Sequence, residues 1–281
     1  MNKQSKPGLR PLPPDNKDFS YQKVFGAVKV PDIDFGVGIP LKIEDQKETD
    51  YCAAMASSSV AEDHEEIDLD PLFSFAAIKS IDKQPQEWGS DLRSTCKAAT
   101  KIGFIEKKDS PYTIDDPREK IVYLNNWPSG LIEKAEKHKQ ASYFRVDEGK
   151  DIYEAFRGAL WQNRATRCSI LTGVVWREGW TKAPNGIIPL EETEQWFGHA
   201  MKIFGQKTIN EKIYLMAQLS NGTEEGDKGL FYFPKEVINR DFTLGAFQFN
   251  DMPVEEAKKK TWSKWQRFIE TLKKYLEEIL K

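Results

Sequence analysis

The secondary-structure signals in this chain change type once, and that change limits the folds open to it. The early segments carry helical composition. Asp50 stands as an N-cap ahead of the Ala-rich YCAAMASSSVAEDHEEI, and PLFSFAAIKSI (71–81) and SDLRSTCKAATKIG (90–103) follow. Ser90 is positioned to cap the latter and Gly103 to stop it, and GKDIYEAFRGALW (149–161) reads as one more helix. Strand signals then take over: CSILTGVVW (168–176), HAMKIFGQ (199–206), KIYLMAQLS (212–220) and GLFYFP (229–234). They are rich in β-branched and aromatic residues and are separated by Gly, Asn and Pro turns. Helices followed by strands predict an α+β protein with its two lobes segregated, a helical lobe at about 48–120 and a β-rich lobe at about 160–250.

These lobes fall within one domain over 20–250. Residues 1–19 are polar with four prolines and read as an extended arm rather than a packed element. Short apolar stretches broken by Pro and Gly over 25–43 read as strands and turns. From Pro253 to Lys281 an apolar stripe including Trp262, Trp265, Phe268, Ile269 and Leu272 predicts an amphipathic helix. That helix either docks on its own domain or binds a protein partner.

Composition narrows the classes. Hydrophobic residues at 39% and charged residues at 30% suit a globular protein, and a net charge of −3 with mixed signs gives no reason to expect nucleic acid or an anionic membrane. No apolar run approaches the roughly 20 residues of a membrane-spanning helix, and the first residues show no secretory h-region. Cys52, Cys96 and Cys168 are too few for a disulfide framework and fit a reducing compartment. A cytoplasmic location is therefore expected. Three Cys and three His without short paired spacing disfavour a zinc site, no glycine-rich phosphate loop occurs, and no cofactor is expected. Glu65, Glu66, Asp68 and Asp70 read as a solvated face rather than a calcium site. His64 and His138, set in charged stretches, read as solvated, and Cys96 and Cys168 as packing.

Cys52 is the residue with chemistry in its placement. It falls in the first turn of a helix, where unpaired N–H groups and the positive dipole end stabilise a thiolate. Gln46 lies six positions earlier, in the preceding loop. Its amide, with the Cys52 backbone N–H, can donate to a developing oxyanion. The Asp50 carboxylate, turned toward the sulfur instead of capping N–H groups, would raise the thiol.

Gln46, Cys52-Ala53-Ala54-Met55-Ala56, the segment Trp88-Gly89-Ser90 and Gly198-His199-Ala200-Met201…Gly205 together resemble the papain-like cysteine peptidases. The likeness runs from about residue 11 to 240 and is nearest to the bacterial and viral members, where small residues follow the cysteine. It implies a two-lobed papain-like fold and hydrolysis of peptide bonds in peptide or protein substrates. Cys52 would be the nucleophile, His199 the base delivered from the other lobe, Gln46 the oxyanion donor, and Trp88 and Gly89 neighbours of the substrate backbone. One position departs from the pattern: Leu219 stands where an orienting Asn belongs. Asn221 would reach His199 only through a bulge or register change. The bulky 47–51 loop also narrows access to the thiol. The alternative is a catalytically impaired papain fold that serves as a structural or binding module in a larger assembly, such as a virus particle.

Overall fold

The computed structural model describes residues 8–12, 15, 18–38, 42–257 and 259. Most of the helix expected over 253–281 lies outside these residues. The first elements among the described residues are α1 (Tyr21–Phe25) and a two-residue strand β1 (Phe35–Gly36), so the described part of the 25–43 segment holds less strand than its composition predicts. The helical lobe follows: α2 (Cys52–Glu65), α3 (Pro71–Asp82), α4 (Leu92–Lys101), α5 (Arg118–Ile121) and α6 (Leu131–Ala135). Then come β2 (Ser142–Arg145), α7 (Ile152–Gln162), β3 (Ile170–Arg177), β4 (Gln195–Ile209), β5 (Lys212–Gln218), β6 (Leu230–Phe233), α8 (Lys235–Asp241) and β7 (Ala246–Asn250).

Side-chain caps set several helix starts. Asp70 accepts from the Phe73 N–H, with Pro71 in the first turn where a missing N–H is harmless. Asp151 accepts from Glu154 in α7. The cap of α4 is Asp91 rather than Ser90. Helix α2 has no side-chain cap: Tyr51 holds the cap position, and Asp50 is engaged elsewhere.

The strands form one antiparallel sheet in the order β2-β7-β3-β4-β5-β6, with β1 added against β4. Side chains alternate across this sheet and feed two apolar cores. On one face Leu171, Ala200 and Phe247 pack with Cys52, Phe73, Phe75 and the other helices. On the other, Val174, Trp176, Met201, Ile203, Leu215 and Leu219 pack with Phe156 of α7 and Val237 of α8. The segregation predicted from the segment order therefore exists as two cores sharing β3 and β4. One buried ion pair, Lys202 of β4 with Asp63 of α2, ties the cysteine-bearing helix to the histidine-bearing strand; Lys202 also donates to the Ser59 carbonyl.

Candidate active site

The start of α2 is pressed against β4. The Cys52 sulfur lies within reach of the backbone N–H of Ala200, as well as those of Ala53 and Cys52 itself. It is fully buried, and burial pushes the thiol up to about 12, with the Asp50 charge adding to the rise and the three N–H groups opposing it. His199 precedes Ala200, so alternation turns its ring to the other face. There it packs edgewise on Trp176 at 5.6 Å and Phe197 at 6.1 Å between centroids. Burial lowers the imidazole to about 4, and Nε2 has no hydrogen-bond partner. Among the described residues no hydrogen bond joins Cys52 to His199. The structure brings the helix tip to the histidine's strand but leaves both groups neutral and dry.

Leu219, at the position where the papain-like pattern has an orienting Asn, carries no hydrogen-bonding group. It is buried in the apolar core, 2% exposed, where a polar side chain would have been needed. Among the described residues Asn221 makes no hydrogen bond to His199; its Nδ2 donates to Glu225 Oε2 at 2.7 Å. Strand β5 ends at Gln218, and Asn221 instead bridges Asp45; the irregularity in the β4–β5 pairing lies at Ile203/Gly205.

Gln46 is held firmly. Its backbone N–H donates to the Ser220 carbonyl at 2.8 Å, its Oε1 accepts from the Ser220 hydroxyl at 2.6 Å, and its Nε2 donates to the Thr49 carbonyl at 3.2 Å. A primary amide carries two donors, so one N–H remains for another acceptor. Asp50 neither caps α2 nor bonds the sulfur. Its carboxylate accepts from the Gly89 N–H at 2.8 Å and from Arg118 at 3.1 and 3.2 Å, and so anchors the 88–90 loop to the start of α2.

That loop presents Ser90, not Gly89, to the groove. The Gly89 N–H is spent on Asp50 and its carbonyl on Lys79, while Trp88 stacks under the Arg118 guanidinium. The occupant of the groove is the chain itself, which composition alone does not reveal. Ser90 donates to the Gly8 carbonyl at 3.3 Å and accepts from the Arg10 N–H at 2.9 Å, a parallel pairing about Leu9. Leu9 donates to the Gly198 carbonyl, next to His199, at 3.0 Å. Its side chain is 1% exposed and packs on Gly173 and Leu244. Gly8 passes so close to Cys52 that a Cβ there would stand 2.7 Å from Sγ. Arg10 pairs with Asp82 and Asp18 with Arg93, pinning the arm on either side. The arm expected to lie free is thus packed at residues 8–10, and the apolar Leu9 amid polar neighbours was the signal for it.

This architecture is the papain-like cysteine protease fold. The chain superposes on xylellain, a cysteine protease from Xylella fastidiosa, with a TM-score of 0.71 at 23% identity over 90% of this chain and 99% of that one. Procathepsin L2 from the Tenebrio molitor larval midgut gives 0.63 at 15% identity, covering 88% of this chain and 79% of the other. The proform of the ragweed pollen allergen Amb a 11, a cysteine protease, gives 0.61 at 15% over 88% and 70%. No family model matches the chain, and no curated protein does. Among the described residues no helix is long and apolar enough to cross a membrane, and no cluster of candidate metal ligands occurs.

Proposed function

We propose that the chain is a cysteine peptidase, held closed by its own residues 8–10. The observation that carries this reading is the backbone pairing of the arm with Ser90 and Gly198 directly over Cys52. Those carbonyls and N–H groups would bind an extended peptide once the arm leaves. Cys52 would attack the peptide carbonyl, His199 would take and return the proton, and the free Gln46 N–H with the Cys52 N–H would hold the oxyanion. Burial is what drives Cys52 up and His199 down. Admitting water moves both back toward the range in which a proton passes between them.

The test is Leu9→Asp, which puts a charge in an apolar pocket and expels the arm. The variant is expected to cleave a broad fluorogenic peptide library, and adding Cys52→Ala should reduce that turnover by about a thousandfold or more. Residual activity equal in both, with the arm shown free by limited proteolysis, would remove Cys52 from the chemistry.

A second reading has its own support. The unpartnered His199 Nε2 facing an apolar core that includes Leu219 fits a binding module derived from the same fold. No turnover in Leu9→Asp, but turnover in Leu9→Asp with Leu219→Asn, would assign the deficit to that one position. A partner for the 253–281 segment remains a proposal of the same kind.

A further inference from the structure

The arm marks a second seat in the groove besides that of Leu9. Arg10 turns its guanidinium to the end of α3, where its two terminal nitrogens meet two different acceptors. One donates to Asp82 Oδ2 at 2.6 Å and the other to Gln84 Oε1. The Arg10 backbone N–H meanwhile donates to the Ser90 carbonyl at 2.9 Å, so this side chain departs from a residue that pairs with the groove through its main chain.

The Asp82 carboxylate is built into the fold. Its side chain is 2% exposed, its Oδ1 accepts from the Gln84 N–H at 2.8 Å, and Lys79 Nζ lies 3.4 Å from its Oδ2. Lys79 does not take the place of Arg10. It is fully buried and donates to the carbonyls of Gln84 at 3.2 Å, Glu87 at 2.9 Å and Gly89 at 2.5 Å, all nearer than Asp82. An ammonium has three donors, and these carbonyls occupy them. The same lysine thereby holds the loop that carries Ser90, so the acidic seat and the pairing strand share one frame. Departure of the arm leaves two empty seats side by side: the apolar one of Leu9, walled by Gly173 and Leu244, and the acidic one of Arg10.

We infer that the opened groove selects peptides that place an arginine beside an apolar residue, with Asp82 and Gln84 determining the arginine preference. The inference rests on the reading of this groove as a peptidase site. A guanidinium reaches both acceptors with one planar fork, whereas an ammonium is a point charge that meets one of them. A neutral side chain leaves an Asp82 oxygen without its closest partner. A carboxylate there adds repulsion. The expected order of preference is Arg, Lys, Gln, Glu.

The experiment uses the full chain carrying Leu9→Asp and Arg10→Gln, which clears both seats. It measures kcat/KM for fluorogenic peptides that differ only at the residue beside a fixed leucine. Both orders, arginine before and after the leucine, are assayed, because the arm marks the seats and not the direction of a substrate. Arginine is expected to exceed glutamine by at least about tenfold in one order, with the advantage shrinking as salt is raised. Gln84→Glu, a change at an exposed position, should widen that ratio, and Asp82→Asn should collapse it toward one. Equal turnover of arginine and glutamine peptides in both orders overturns the inference and leaves the peptidase reading standing. So does a ratio that neither variant moves. Where no peptide is turned over, labelled copies are titrated by fluorescence anisotropy onto the same chain with Cys52→Ala added. Binding about tenfold tighter for arginine supports the acidic seat and places the failure in the chemistry. Equal affinities, or no binding, overturn it.

Discussion

Helix α2 carries a titratable side chain at each end, and the two settings differ in almost every respect. At its N-terminus it supplies a sulfur, Cys52; at its C-terminus an imidazole, His64. Both choices suit the helix dipole, which favours negative charge at the first turn and positive charge at the last. The environments then diverge. His199, the ring assigned to Cys52, has an orphaned Nε2 and sits between aromatic rings, so burial wins and the pair stays neutral. His64 has Asp251, and that carboxylate overrides burial. The two imidazoles are thus tuned in opposite directions by the presence or absence of one hydrogen-bonding partner. Burial alone is a poor guide to charge.

The comparison can be broken at its shared support. Lys202→Met leaves Asp63 buried without its cation and should lower unfolding stability by about 3–5 kcal/mol. Urea denaturation followed by circular dichroism checks this, and a loss under about 1 kcal/mol would mean that the helix is held to β4 by packing alone.

The two histidines should also give opposite pH dependences. The folded value of His199 is depressed, so the unfolded chain binds a proton that the folded chain refuses. Stability should fall by about 3 kcal/mol as the pH drops from about 6.5 toward 4. His199→Phe, which keeps an aromatic ring against Trp176, should flatten that limb, and an unchanged acid limb would show another group responsible. For His64 the folded value is raised, so its contribution is complete below about pH 6.5 and disappears as the pH climbs toward 10. Because Asp251 is 68% exposed, solvent screening limits this to about 1–2 kcal/mol. Thermal melts of His64→Gln across that alkaline window should lose the slope; a retained slope argues against a charged ring.

What could be read from the sequence was the part written in local patterns. The helix opening at Cys52, the strand carrying His199 and the order of lobes follow from residue spacing and turn chemistry. The structure keeps them, though helix α4 is capped by Asp91 instead of Ser90. Strands β2 and β7 and helix α8 were not read from the sequence, whereas β6, no longer than β2, was marked by its aromatic run. The rest depended on contacts distant in sequence. His64 looks solvated amid Glu and Asp until Asp251, 187 positions away, closes over it. Asn221 lies two positions past the place where an orienting amide was wanted, and its Nδ2 is taken by Glu225. Asp50 looked like a cap, and only the arrival of Gly89 and Arg118 gives it other work. Leu9 was hidden by its setting: four prolines and many charges mark a segment as unpacked, whereas one leucine and one glycine are enough to seat it.

The fit at Gly8 makes this seal adjustable by the smallest possible change. With hydrogen as the side chain the backbone can lie flat over the sulfur; a single methyl would stand 2.7 Å from it. Successively larger residues at that position would wedge the strap outward by degrees, while Leu9 and Arg10 keep their own anchors. How easily the groove opens is therefore governed by the bulk of one residue, in steps as fine as a carbon atom.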